Sequence, residues 1–180
     1  VTEHRMAIAI GKSGGMGIIH RFMSPSNQVF QLRKVARESE SHGRIPVVPA
    51  IGVGKEEKER LLSLLRGVAP YSIDAIAIDI ANGHSILMKD MIDFVNQTTG
   101  GTIPIIAGNV ATGEGFVYLA EAGASSVRVG IGGGSICKTR IMTGAGMPTF
   151  QSVFDCYNIK KSYDASHPYC AVSIIADGGI

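Results

Sequence analysis

Six short apolar runs recur along the chain, at residues 17–19, 45–53, 75–80, 103–107, 127–131 and 171–176. A stretch in which apolar and charged residues fall with helical spacing follows each of the first five. Runs that are apolar on both faces leave no side of the strand for water, so the sheet they form must be covered by helices. That is the pattern of a parallel sheet. Helices are read at residues 6–12, 26–39, 56–65, 85–96, 112–122 and from 148 to 156, with Ser26 capping the second and Thr112 opening the fifth. The second helix offers Val29, Phe30, Leu32, Val35 and Ala36 on one side, and the fourth Ile86, Met88, Met91, Ile92 and Val95. Alternating strands and helices fit either a doubly wound open sheet or a (β/α)8 TIM barrel. Polar and glycine residues decide between them. They fall just after successive strand ends: His20, Asp79 to Gly83, Gly108-Asn109, Gly130 to Cys137 and Asp177-Gly178-Gly179. Contributions from nearly every strand to one face describe a barrel site better than a crevice at a single switch point, and an α/β barrel is expected.

With 45% hydrophobic and 18% charged residues and a mean hydropathy of +0.20, the chain has enough apolar material for a packed core. A net charge of +2 gives no electrostatic case for nucleic acid. Three cysteines, Cys137, Cys156 and Cys170, are too few and too unevenly spaced for a disulfide framework or a zinc ribbon. The odd count favours a reducing, cytoplasmic setting. The apolar runs are far short of the roughly twenty residues a bilayer requires, so no membrane partner is expected.

The densest chemistry lies in Val129-Gly130-Ile131-Gly132-Gly133-Gly134-Ser135-Ile136-Cys137-Lys138-Thr139-Arg140. Glycines after a strand expose amide N–H groups to a phosphate or carbonyls to a cation. Cys137, close in sequence to Lys138 and Arg140 and following Arg128, sits where positive charge raises the thiolate fraction, as a covalent nucleophile needs. The plainer alternative is a small buried hydrophobe, the reading kept for Cys156 and Cys170. Asp79 has the alternative of a helix N-cap, Arg128 of an ion pair within the barrel, and Asp177-Gly178-Gly179 of a simple turn. His20 and His84 are read as structural.

Gly132 to Arg140, together with Thr143-Gly144-Ala145-Gly146-Met147-Pro148, resembles the catalytic loop of the IMP dehydrogenase/GMP reductase family. So, in the same order, do Gly14-Gly15-Met16-Gly17-Ile18-Ile19-His20-Arg21, Gly108-Asn109-Val110-Ala111-Thr112 and Ala176-Asp177-Gly178-Gly179-Ile180. The resemblance implies that Cys137 attacks C2 of a purine nucleoside monophosphate (IMP, XMP or GMP), with Thr139 at the reaction centre. It implies Ser135, Gly178 and Gly179 at the phosphate and Asp177 at the ribose. Asp79, Ala81, Asn109, Arg128, Gly130, Ile131 and Gly132 would form the NAD or NADP pocket. Carbonyls of Gly132, Gly134 and Cys137 would hold a monovalent cation, expected to be K+, and the complete protein would be a homotetramer.

The resemblance departs from the family pattern in informative places. Residues 39–44 bridge directly the point where most dehydrogenases of this family carry a tandem CBS insertion, so residues 1–180 are expected to form one catalytic domain. Ala81 stands where the dehydrogenase usually has serine, and residues 79–85 look reductase-like, whereas residues 1–9 and 14–21 look dehydrogenase-like. The balance favours IMP dehydrogenase, with GMP reductase as the alternative and an inactive nucleotide-binding fragment as the alternative of another class. A full barrel takes about 250 residues. The six runs match strands two to seven, so the barrel is expected to be incomplete, its first strand before Val1 and its eighth after Ile180.

Overall fold

The computed structural model describes residues 2–135 and 137–179. The motif positions Ile136 and Ile180, and Val1, lie outside the described residues. All six expected strands form: β1 (Ile18–Ile19), β2 (Val48–Ile51), β3 (Ile76–Asp79), β4 (Ile105–Val110), β5 (Ser126–Val129) and β6 (Ser173–Ala176). Their order in the sheet is their order in the chain, and every described pairing between them is parallel. The helices are α1 (His4–Lys12), α2 (Pro25–His42), α3 (Lys55–Val68), α4 (Ile86–Thr99), α5 (Gly113–Glu121), α6 (Thr139–Thr143) and α7 (Thr149–Ser166). This is the α/β arrangement expected, with consecutive strands as a (β/α)8 barrel uses them. Among the described residues no helix is long and apolar enough to cross a membrane.

The chain divides into two compact units, Val1–Ile78 with Phe94–Pro104 and Asp79–Asp93 with Ile105–Ile180. In the first, β1 pairs with β2 through Ile18–Val48 and Ile19–Pro49, and β2 with β3 through Ala50–Ala77 and Ile51–Ile78. Ile19, Leu32, Val35, Ile51, Leu61, Leu64, Val68 and Ile76 are fully buried around these strands. The start of α2 differs from expectation. Ser24, not Ser26, is the cap: its Oγ accepts the Asn27 N–H at 3.2 Å, and Pro25 takes the first helical position, where a missing N–H costs nothing. Phe30 is exposed, its ring packed edge-on by His4 with Lys34 over it, while Gln28 is wholly buried in the phase where an apolar residue would be expected.

Gln28 is tolerated there because all its polar atoms are used. Its Nε2 donates to the carbonyls of Ile19 (3.3 Å) and Ala50 (2.7 Å), and its Oε1 accepts from Arg60 at 3.0 Å. Arg60 also donates to the Met23 carbonyl and to Glu57, whose second oxygen accepts the Gly52 N–H. The ends of β1 and β2 are thereby tied together by a closed polar network.

In the second unit β4, with all six residues buried, pairs with β5 through Ile106–Ser126, Ala107–Val127 and Gly108–Arg128. β5 pairs with β6 through Val127–Ile174, Arg128–Ile175 and Val129–Ala176. Helix α5 starts as expected, with Thr112 Oγ1 accepting the Gly115 N–H. It packs on α7 at Gly113, where a Cβ would overlap Ile159, and through an edge-on contact of Phe116 with Tyr163. Helix α7, expected to begin over residues 148–156, starts at Thr149 and continues to Ser166. Cys156 is buried, as read. Cys170 corrects its expectation: it is exposed, on the loop before β6.

Gln28→Leu should destabilise the protein by about 2–3 kcal/mol, because two strand carbonyls and the Arg60 guanidinium lose a buried partner together. Urea denaturation checks this through the midpoint. An unchanged midpoint would mean that water takes over all of those bonds.

Candidate functional site

Four successive strand ends in the second unit present Asp79 (β3), Asn109 (β4), Arg128 (β5) and Asp177 (just after β6). The approach of β4 to β5 begins at Gly108, opposite Arg128: a Cβ there would stand 2.6 Å from Arg128 Cβ and 2.7 Å from its carbonyl oxygen, so only glycine fits. The register shifts between Gly108 and Val110, which sets Asn109 apart from the regular ladder.

Arg128 forks between two acids. Its Nη1 lies 3.2 Å from Asp79 Oδ1 and its Nη2 2.9 Å from Asp177 Oδ2. Asn109 Nδ2 donates both to the same Asp177 oxygen (2.5 Å) and to the Gly130 carbonyl (2.6 Å). Backbone bonds register the ends: Gly130 N–H to Val110 O at 2.8 Å, Asp177 N–H to Val129 O at 2.9 Å, and Gly83 N–H to Asn109 O at 2.7 Å. Asn109 Oδ1, in a side chain that is 92% buried by its 8% exposure, has no partner among the described residues. A buried acceptor left open at the meeting point of strand ends is where a ligand donor fits.

Cys137 lies on an excursion closed at its base. Ile131 and Met147 form an antiparallel bridge, with Met147 N–H donating to Ile131 O at 3.1 Å. Gly132 turns the chain away at φ 78°, a conformation that a side chain would strain, and the stem of Arg140 packs where its Cβ would be. Cys137 Sγ lies 3.3 Å from Thr139 Oγ1, and Cys137 N–H donates to Gly134 O at 3.1 Å. The thiol pKa is lowered from its ordinary value, first by hydrogen bonds from Thr139 and more weakly by the charge of Arg140. The electropositive setting therefore acts less than expected, and the Thr139 hydroxyl more. Cys156 is the opposite case: burial pushes its thiol up to about 11.

The remaining expected residues are distributed as follows. Gly178 and Gly179 both have positive φ, and Gly179 lies so near the Gly133 backbone that a Cβ would overlap it. The end of β6 thus meets the cysteine loop. Ser135 is exposed in a turn, and Ala81 is exposed on the β3–α4 connection. Ile131 serves the bridge to Met147. His20 is structural, its Nδ1 accepting the Phe22 N–H and its Nε2 lying 3.5 Å from Glu3. Sequence reasoning missed Thr149, a buried residue of α7 whose hydroxyl sits against Gly133 and whose methyl faces Gly130. The signal was its place one residue after Pro148, at the first turn of the helix that follows the glycine loop. It also missed Tyr118, which donates to the Ser85 carbonyl.

A parallel α/β chain with its polar residues gathered at strand C-terminal ends is of the α/β-barrel class. The IMP dehydrogenase / GMP reductase domain model matches residues 1–180, and the chain belongs to that family. A GMP reductase of Leishmania major is 43% identical over 143 residues, which cover 78% of this chain and 27% of that protein. An inosine-5'-monophosphate dehydrogenase of Staphylococcus saprophyticus is 40% identical over 141 residues, 78% of this chain and 26% of that protein. Another, from Cryptosporidium parvum, is 32% identical over an alignment covering the whole chain and 51% of its own length. The chain thus spans between about a quarter and a half of these relatives.

At neutral pH iodoacetamide should label Cys137 and the exposed Cys170 at least about tenfold faster than Cys156, which ought to react only on unfolding. Thr139→Val should slow labelling of Cys137 alone, because it removes the hydroxyl that favours the thiolate. Mass spectrometry of the labelled peptides reads both outcomes.

Proposed function

We propose that the protein carrying this chain is a purine nucleotide oxidoreductase acting at C2, in the direction of an inosine-5'-monophosphate dehydrogenase. The observation that carries the reading is the Arg128 fork between Asp79 and Asp177, with the Cys137 loop springing from the same strand, β5. Arg128 and Asn109 engage one oxygen of each carboxylate. The other oxygen, Oδ2 of Asp79 and Oδ1 of Asp177, has no hydrogen-bond partner among the described residues and would accept hydroxyls, and both side chains are 37% exposed. Two carboxylates so held suit two ribose diols, Asp177 for the nucleotide and Asp79 for the cofactor.

In this mechanism the Cys137 thiolate forms a C–S bond at C2 of the IMP base. The bound nicotinamide supplies the acceptor for the hydride that leaves C2. Thr139, within hydrogen-bond reach of the sulfur, orients the water that then adds at C2, and the C–S bond breaks to release XMP and the free thiol. One water is consumed and one proton released per turnover. Ser135, Gly178 and Gly179 take the phosphate, through the hydroxyl and the backbone N–H groups that a glycine turn can offer. Ala81, Asn109 and residues 130–132 line the cofactor side. Backbone carbonyls of Gly132, Gly134 and Cys137 offer the oxygen ligands a hard monovalent cation such as K+ prefers; Gly134 O, already accepting Cys137 N–H, keeps a second lone pair for it. The assembly is a homotetramer in this reading.

The reverse-type reaction, GMP with NADPH giving IMP and ammonia, is the second reading. Ala81 and the identity to the Leishmania protein favour it.

Full-length protein incubated with IMP and NAD+ should gain absorbance near about 340 nm, where reduced nicotinamide absorbs. Loss of absorbance with GMP and NADPH instead would assign the reductase, and silence with both would leave nucleotide binding alone. Cys137→Ala should abolish turnover while IMP still binds; a turning-over variant would overturn the covalent step. Arg128→Lys, a point charge that cannot fork to both acids, should lower kcat/KM by about tenfold to a hundredfold.

A further inference from the structure

The connection from β3 to α4 carries Asp79 and Ala81, the cofactor-side residues of the proposed function, and how it is held has a consequence for binding. Its first half is fixed by backbone bonds to the end of β4: Ile80 N–H to Gly108 O (3.0 Å), Asn109 N–H to Ile80 O (2.9 Å) and Gly83 N–H to Asn109 O (2.7 Å). Its crest, Ala81 and Asn82, is exposed, with Asn82 Oδ1 capping the His84 N–H. Its second half has no strand to lean on. The carbonyl of Ser85 already accepts the first bonds of α4, from Met88 N–H at 3.1 Å and Lys89 N–H at 3.2 Å. A further donor reaches it from another element: Tyr118 Oη, on α5, at 3.1 Å. The His84 ring lies tilted against the same tyrosine, with centroids 4.7 Å apart. Beyond this point α4 presents Ile86 and Leu87 to solvent at 72% and 55% exposure, so its first turn gains little apolar burial from those two.

We infer that Tyr118 is a positioning residue for the cofactor side of the site. It clamps the exit of the β3–α4 connection by its hydroxyl on Ser85 and its ring under His84, and so holds the crest between two fixed ends. The inference rests on the reading that Asp79 and Ala81 face the cofactor. Tyr118 itself touches neither substrate nor cofactor. A hydroxyl at a helix N-terminal carbonyl acts on one local segment, whereas the nucleotide residues Ser135, Asp177, Gly178 and Gly179 belong to other loops. Its loss should therefore separate the two ligands.

The test uses Tyr118→Phe, which keeps the ring under His84 and removes the hydroxyl, and Tyr118→Ala, which removes both, in the full-length protein. In Tyr118→Phe the KM for the nicotinamide cofactor should rise about fivefold, the size of one neutral hydrogen bond. The KM for the purine nucleotide, kcat and the labelling rate of Cys137 should stay within about twofold. Tyr118→Ala should raise the cofactor KM further with the same selectivity. Amide exchange of residues 83–88 should quicken in both variants while β4 and β5 keep their protection. An unchanged cofactor KM in Tyr118→Phe, or an equal rise in both KM values, overturns the inference. Should wild-type protein turn over neither ligand pair, the proposed function falls, and exchange then decides the clamp separately. Quickening confined to residues 83–88 supports it, and unchanged exchange overturns it.

Discussion

One guanidinium organises the strand ends of the second unit. Asp79 and Asp177 come from β3 and from the residue after β6, and both carboxylates meet the one guanidinium that β5 presents between them. A planar fork with donors fixed in direction settles both at once, which a flexible ammonium cannot do. The Coulomb energy is modest, because all three side chains keep contact with water. What the fork contributes is placement: it fixes which oxygen of each acid the guanidinium occupies. Asn109 adds the fourth strand end by binding the Asp177 oxygen and the Gly130 carbonyl together.

The first unit solves the same mechanical problem with a different result. Gln28, Arg60 and Glu57 also tie strand ends, through Ile19 O, Ala50 O and Gly52 N–H, and there each Gln28 polar atom finds a protein partner. A network that is closed in this way has nothing left for a ligand. In the second unit Asn109 Oδ1 is buried with no partner among the described residues, and Arg128 takes only one oxygen of each acid. Both networks raise the cooperativity of the fold, and the open one alone of these two keeps an acceptor that a ligand would fit. The proposed binding capacity would follow from hydrogen bonds that the fold leaves unmade.

The strands were legible because burial on both faces writes itself as continuous apolar runs: four lie within the expected segments, while β4 runs on to Val110 and β5 begins one residue early, at Ser126. Thr112 was legible as a cap for the same local reason. Ser24 was not, because two serines flank Pro25 and only the proline's fit to the first helical position distinguishes them. Phe30 and Gln28 exchange the places that hydrophobicity assigns, since Gln28 can be buried only through partners 9, 22 and 32 residues away in sequence. The short helix α6, five residues with none buried, has no apolar period to reveal it. At the site, sequence supplied Asp79, Arg128 and Asp177 as separate candidates. Each ion pair spans 49 residues, so no local pattern could disclose that they share one fork. The alternative of an ion pair for Arg128 and the role beside the cofactor are compatible once the unused carboxylate oxygens are counted.

The cysteine loop follows a different economy from the strand ends. Its base is sealed by the Ile131–Met147 bridge, yet Ile141 and Met142 stand 83% and 78% exposed and α6 buries nothing. Segments with few buried contacts open at low free energy, so this loop draws little on the stability of the core. A sulfur that must alternate between thiolate and a carbon–sulfur bond changes its distance to the acceptor by more than a packed core would tolerate. In the proposed mechanism, placing Cys137 on a thinly packed excursion, with Thr139 on the same loop, would keep the hydroxyl beside the sulfur through that change. The carboxylates fixed by Arg128 would then hold what the loop must reach. A division between a rigid bed at the strand ends and a loosely packed thiol is what covalent chemistry on a bound ligand would require, and it supports the proposed function.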